Sequence, residues 1–155
     1  MGFGPYQVSM NAVSQTTAKV LVQVAVPTNS FIQVTRLWIE NADVEASQQL
    51  QGEVQRLSAG AAVTSFTPIK KGSTGQGASA CVGGANATGT NGTSAGTVTD
   101  TFSPRGFNVL QGWEWVATSE MDRIAVPGGT QIAIRLASTI SAALISAGID
   151  FFEWC

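Results

Sequence analysis

Apolar and polar residues alternate along most of this chain, the period of two that lays one side of a strand on a core and turns the other to solvent. The clearest run is 18–26, where Val20, Val22, Val24 and Val26 point one way and Lys19, Gln23 and Ala25 the other. Pro27-Thr28-Asn29-Ser30 then supplies a turn. A second long strand, rich in β-branched and aromatic residues, is predicted over 31–40. Residues 52–57 set Val54 against Glu53 and Gln55, and further on Ile132, Ile134 and Leu136 oppose Gln131 and Arg135. Ile145, Ala147, Ile149 and Phe151 share one side of the last segment. Only over 40–51 does a short helical turn compete with a loop. Short strands between turns, without βαβ spacing, predict one all-β domain over 1–155, an antiparallel sandwich or barrel.

Residues 72–96 break the alternation, being almost entirely Gly, Ala, Ser, Thr and Asn with only Cys81 and Val82 to bury. Such a segment cannot offset its own ordering entropy by apolar burial. The expectation is a loop excursion over 72–97, ordered mainly where a neighbouring subunit packs on it. A length of 155 residues fits one domain with one core.

Charge sharpens this picture. Charged residues are 12% of the chain, about half the usual ~25%. A surface that replaces charge with Gly, Ser, Thr, Asn and Gln is that of a protein packed against partners. The net charge is −2, and Lys70-Lys71 is the one adjacent pair of cations, so no basic patch is there to neutralise phosphates and nucleic acid is not an expected partner. No run approaches the ~20 apolar residues of a membrane helix, and Met1-Gly2-Phe3-Gly4-Pro5 lacks the character of a signal peptide. A soluble protein made in the cytoplasm, with free thiols at Cys81 and Cys155, is the expectation.

Catalytic chemistry is sparse. With no histidine, the commonest general base and metal ligand is missing and a Ser–His–Asp triad is excluded. Two distant cysteines make no zinc site, and no cofactor or metal is expected. The ten carboxylates gather most tightly at Glu40, Asp43 and Glu45, at Glu120 and Asp122, and at Asp150 and Glu153. Paired carboxylates of a hydrolase, Asp122 or Asp150 among them, are conceivable, but the expectation is solvated acids at loops and strand ends. Gly72-Ser73-Thr74-Gly75-Gln76-Gly77 is not a phosphate loop, because low-complexity sequence follows where a Lys and a helix belong. The sequons at Asn86 and Asn91 read as chance products of an Asn/Thr-rich stretch. No catalytic residue is assigned.

Aromatic residues are the better candidates for recognition. Trp113 and Trp115 share a face of their segment. Exposed, they would stack on sugars or anchor a protein interface, and the favoured alternative makes that face core. Phe152 and Trp154 close the chain, with Trp154 expected at a subunit contact. Residues 1–15 are read as a possible N-terminal arm, with Phe3 and Tyr6 as its anchors. The candidate partner interface is therefore Phe3, Tyr6, Trp113, Trp115, Phe152 and Trp154.

Read in order, several phrases resemble a group of small tailed-phage capsid decoration (cement) proteins. They are Pro27-Thr28-Asn29 after the Val-rich strand, Ile32-Gln33-Val34-Thr35-Arg36-Leu37-Trp38, Gln55-Arg56-Leu57 and Phe66-Thr67-Pro68. Phe107-Asn108-Val109-Leu110-Gln111-Gly112-Trp113-Glu114-Trp115 and Ile124-Ala125-Val126-Pro127-Gly128-Gly129 follow, then Ile132-Ala133-Ile134-Arg135-Leu136 and Gly148-Ile149-Asp150-Phe151-Phe152-Glu153. The resemblance implies a jelly-roll-like β-sandwich on the capsid exterior, binding the major capsid protein and self-associating, commonly as a homotrimer. It also implies sheets built around the Val20/Val22/Val24 and Ile132/Ile134/Leu136 faces. The alternative from another class is a carbohydrate-binding β-sandwich module of a tail or surface fibre, with Trp113 or Trp115 exposed.

Overall fold

The computed structural model describes residues 4–43, 47–73, 75–85, 96–137 and 143–154. The sandwich forms as the alternation predicts. Its strands are β1 (Gly4–Gln15), β2 (Lys19–Ala25), β3 (Phe31–Asn41), β4 (Gln49–Ala59), β5 (Thr64–Phe66) and β6 (Ile69–Lys70). After these come β7 (Val82–Ala85), β8 (Thr97–Asn108), β9 (Trp113–Val116), β10 (Ile124–Pro127), β11 (Gln131–Leu136) and β12 (Ala143–Trp154). A 3₁₀ turn, Glu120–Asp122, precedes β10. Over 40–51 the chain continues as β3 to Asn41 and resumes as β4 at Gln49, with 44–46 outside the described residues. Among the described residues, no helix is long and apolar enough to cross a membrane.

The pairing is nested. β1 pairs with β12, β2 with β11, β3 with β9 and β10, and β4 with β8, every pair antiparallel. A long hairpin rolled so that its arms pair from the outside inward is the jelly roll. One sheet runs β10-β3-β12-β1-β6, with β9 also on β3; the other runs β5-β7-β2-β11-β4-β8. Between them lies a core to which Tyr6, Val8, Ile32, Leu37, Ile145, Ile149 and Phe151 contribute from the first sheet. Leu21, Val22, Val24, Ile132, Ile134, Leu136 and Val54 face them from the second.

The Val-rich and Ile-rich faces expected to belong to opposing sheets are instead neighbours in one sheet, with Ile132 opposite Val24 and Ile134 opposite Val22. Val20 does not share their side. A register shift between Ile134 and Arg135 puts an extra residue into β2, and such a bulge inverts the alternation beyond it. Val20 therefore joins Leu57, Ala61 and Ala133 in a small second cluster. The Gln23 side chain holds the chain at Ala61 by donating to its carbonyl at 3.1 Å and accepting from its amide at 3.0 Å.

The N-terminal arm is corrected by the structure. Residues 4–15 form β1, hydrogen-bonded to β12 along its length and to β6 near its start. Tyr6 is fully buried, its ring stacked 5.9 Å from that of Phe151 and its hydroxyl donating to the Gly77 carbonyl at 2.9 Å. An amphipathic ring with its one polar atom satisfied is a core residue, so Tyr6 anchors the sandwich and not a partner. Phe3 lies outside the described residues.

The Gly-rich excursion is also more tied down than composition implies. Gln76 donates to the Pro5 carbonyl and accepts from the Gly72 amide. The carboxylate of Glu153, 1% exposed, accepts from the Ser79 hydroxyl at 2.6 Å and the Ala80 amide at 2.9 Å. Residues 82–85 are β7, paired between β2 and β5. Glycine is required there, since a Cβ on Gly84 would come within 2.2 Å of Val63 and one on Gly83 within 2.8 Å of Val8. Close approach substitutes for side-chain burial, and polar contacts to buried groups supply the rest. Residues 86–95, with both sequons, lie outside the described residues, as does Cys155; Cys81 is buried in the core.

Replacing Glu153 by Ala would remove the acceptor of the Ser79 hydroxyl and the Ala80 amide, two partly buried bonds, at a cost of about 1–2 kcal/mol. The expected outcome is a lower denaturation midpoint and faster proteolysis within 75–81. Unchanged stability together with unchanged protease resistance would mean that the clamp does not hold the segment.

Candidate functional site

The outer face of the first sheet, turned away from the core, carries a cluster of aromatic and charged side chains. It is set by a phase break in β3. Ile32 and Val34 face the core, as do Leu37 and Ile39, which requires one extra residue between the pairs. The register shows it: Phe151 stands opposite Val34 and Asp150 opposite Arg36, leaving Thr35 as a bulge. Its hydroxyl donates to the Asp150 carbonyl at 3.2 Å, and its own carbonyl accepts from the Ala117 amide at 2.9 Å. Bulges re-aim side chains in this way beside binding sites.

Cross-strand rows follow. At one end Phe31 lies opposite Trp154, their rings 5.7 Å apart, and Phe152 is 5.9 Å from Trp154. The Arg123 guanidinium sits over Phe152 at 5.4 Å and donates to the Gln33 side chain at 3.2 Å. Next, Asp150 accepts from Gln7 at 2.8 Å and from Lys71 at 2.7 Å, with Arg36 at 3.9 Å. Arg36 is also bonded through Nε to Glu114. In the third row Trp38 lies flat across Gly148, where any Cβ would meet the indole at 2.5 Å.

Residues 116–120 and Arg123 overhang these rows and border an open cavity of about 560 Å³ above Thr35, Arg36, Asp150 and Phe152. That volume is in the range of small-molecule sites, ~300–1,000 Å³. The overhang is held by Asp122, whose carboxylate accepts from the Thr118 and Ser119 hydroxyls. Those two bonds, Thr118 first, hold Asp122 below the usual carboxylate range. Beside the cavity Met121 projects almost bare, 96% exposed.

The expected site residues separate. Phe152 and Trp154 share this outer face and touch, Tyr6 is on the opposite, core side, and Trp113 and Trp115 lie at the sandwich margin. The last two pair with Ile39 and Leu37 and pack half-buried on the core, as the favoured reading of their strand had it. Asp150 and Glu153 are not solvated acids, being 4% and 1% exposed. The residues not anticipated are Phe31, Arg36, Trp38, Arg123 and Met121. The signal that could have found most of them is the change of phase between Val34 and Leu37.

Both carboxylates lining the cavity face cations, Asp150 toward Lys71 and Arg36 and the exposed Glu120 toward Arg123 at 3.6 Å. Among the described residues no group of three or more His, Cys, Asp and Glu could hold a metal ion. Comparison with known proteins gave no match to a family model, to a curated protein or to a solved structure.

A depressed carboxylate contributes stability that is present in full above its unfolded value and is lost as pH falls through the lower folded value. The amide resonances of 118–122 should therefore stay native-like while ordinary carboxylates titrate and shift only at lower pH. Asp122→Ala should disturb them at neutral pH. Resonances that move together with the ordinary carboxylates would show that Asp122 does not hold the overhang.

Proposed function

We propose that this chain is a structural protein of a virion, a capsid decoration protein that binds the major capsid protein on the particle exterior and works by binding alone. The observation that carries the reading is the Phe31–Trp154–Phe152 cluster with Arg123 above it. The core closes without these rings, which remain on an outer face with Phe31 36% exposed. Aromatic residues and Arg are the side chains enriched at interface hot spots. Low surface charge supports the same role, as does the resemblance carried by the ordered sequence phrases. Jelly rolls serve viral capsids among other uses, an argument from fold analogy only.

Contact through faces fits the edges of the sandwich. The long outer strand β8 carries Asp100, Pro104 and Arg105 and pairs with β4 through three register shifts. Charge, proline and bulges are the devices that block pairing along an edge. Self-association as a homotrimer, the arrangement suited to local three-fold positions on a capsid, is part of the proposal.

Two measurements test it. Quantitative mass spectrometry of purified particles should find this chain in simple ratio to the major capsid protein. Trp154→Ala and Phe31→Ala should each weaken binding to capsids by about 2 kcal/mol or more, roughly thirtyfold, with folding retained. A few copies per particle would move the chain to a tail or vertex, and absence from particles would overturn the virion reading.

A further inference from the structure

The cavity under residues 116–120 is separate from the aromatic cluster except for their shared Phe152 and Arg123, and a flat protein interface does not require it. The charges around it are balanced and already paired. Arg36 is bonded to Glu114 and lies near Asp150, Asp150 is bonded to Lys71, and Arg123 lies near Glu120. An anion would find no uncompensated positive charge, and a cation no uncompensated negative one. A wholly apolar ligand would have to strip water from guanidinium and carboxylate groups without replacing their hydrogen bonds, which is costly.

What remains is a neutral molecule that offers donors and acceptors side by side. A guanidinium presents up to five donors and a carboxylate about four acceptor positions. Arg36 uses Nε on Glu114, while its terminal nitrogen stands 3.9 Å from Asp150, too far for a direct bond and open to a bridging hydroxyl. The same holds between Arg123 and Glu120 at 3.6 Å. Each pair thus sets a donor and an acceptor at a separation that one hydroxyl group, both donor and acceptor, would bridge. Phe152 and the half-exposed Val116 provide apolar surface for the C–H face of a ring. The geometry points to a binding site for a neutral sugar in the cavity between β3, β12 and the 116–123 overhang, recognised by Arg36, Asp150, Glu120 and Arg123.

The site is independent of attachment to a particle and is tested on the isolated protein. Methyl glucoside, methyl galactoside, methyl mannoside and N-acetylglucosamine are titrated into isotopically labelled protein, with inorganic phosphate and N-acetylneuraminic acid as anionic probes. At least one neutral sugar should shift the amide resonances of 117–123 with millimolar affinity, and the anions should bind more weakly. Val116→Trp, a bulky residue at an exposed strand position, should block the cleft and weaken binding about tenfold or more. Arg36→Gln, altering a side chain more than a third exposed, gives a second reading and should weaken it severalfold. Val98→Ala, at an exposed position of β8 in the other sheet, should leave sugar binding intact. No shift with any neutral sugar, tighter binding of phosphate, or undiminished binding in both cavity variants would overturn the assignment.

Discussion

Thr35 occupies one place more in β3 than the facing strand has partners for, and the outer face depends on that surplus. Because Phe151 meets Val34 and Asp150 meets Arg36, β3 keeps its apolar residues on the core on both sides of the bulge. A slip in phase would otherwise have turned Leu37 and Ile39 to solvent. The bulge relieves that conflict, brings Arg36 beside Asp150 and frees a carbonyl for the amide of Ala117. The approach of Arg36 to Asp150 and the bond that ties Ala117 to β3 both stem from one extra residue.

Asp150 shows how a charge can sit almost out of water on the back of a sheet. It is surrounded by Gln7 from β1, by Arg36 from β3 and by Lys71 just after β6, so three neighbouring segments converge on one carboxylate. Both cationic partners are more than a third exposed, so solvent screens each pair and the carboxylate keeps its other contacts when one is lost. The same arrangement fixes where the neighbouring strands stand, including the short edge strand β6. Polar contacts of this kind specify register more than they add stability. They also explain how a surface poor in charge concentrates what it has at one place.

The fold was legible because alternation is a property of single strands: β2, β3, β11 and β12 can be read from their own residues. Bulges are harder, since an extra residue is defined only against the partner strand. Val20 was therefore assigned to the wrong side, whereas the break in β3 stands in the order Ile32, Val34, Leu37, Ile39. Tyr6 misled because an aromatic in a Gly-rich stretch near a chain end looks like an arm, and only its pairing with Phe151 across β1 and β12 makes it core. Composition made 72–85 look unable to order. What orders it is Glu153, far away in sequence, and the space that Gly83 and Gly84 leave open. Among the aromatics of the outer face, Phe152 and Trp154 stood out in the sequence, while Phe31 and Trp38 looked like ordinary strand residues.

The nested pairing has a mechanical consequence. β12 is not an edge strand: it lies between β1 and β3, with ladders on both sides running nearly its whole length. β1 is in turn enclosed by β12 and, near its start, by β6. A pull along β12 loads two antiparallel ladders in shear, so many hydrogen bonds must yield together and none can be peeled off singly from an open side. Because Gly4 stands opposite Glu153, the same closure joins residues that are distant along the chain, and folding must meet that long-range entropy before the pair forms. Pairing of residues so far apart in sequence favours slow folding, and a strand laddered on both sides has no open side from which to peel.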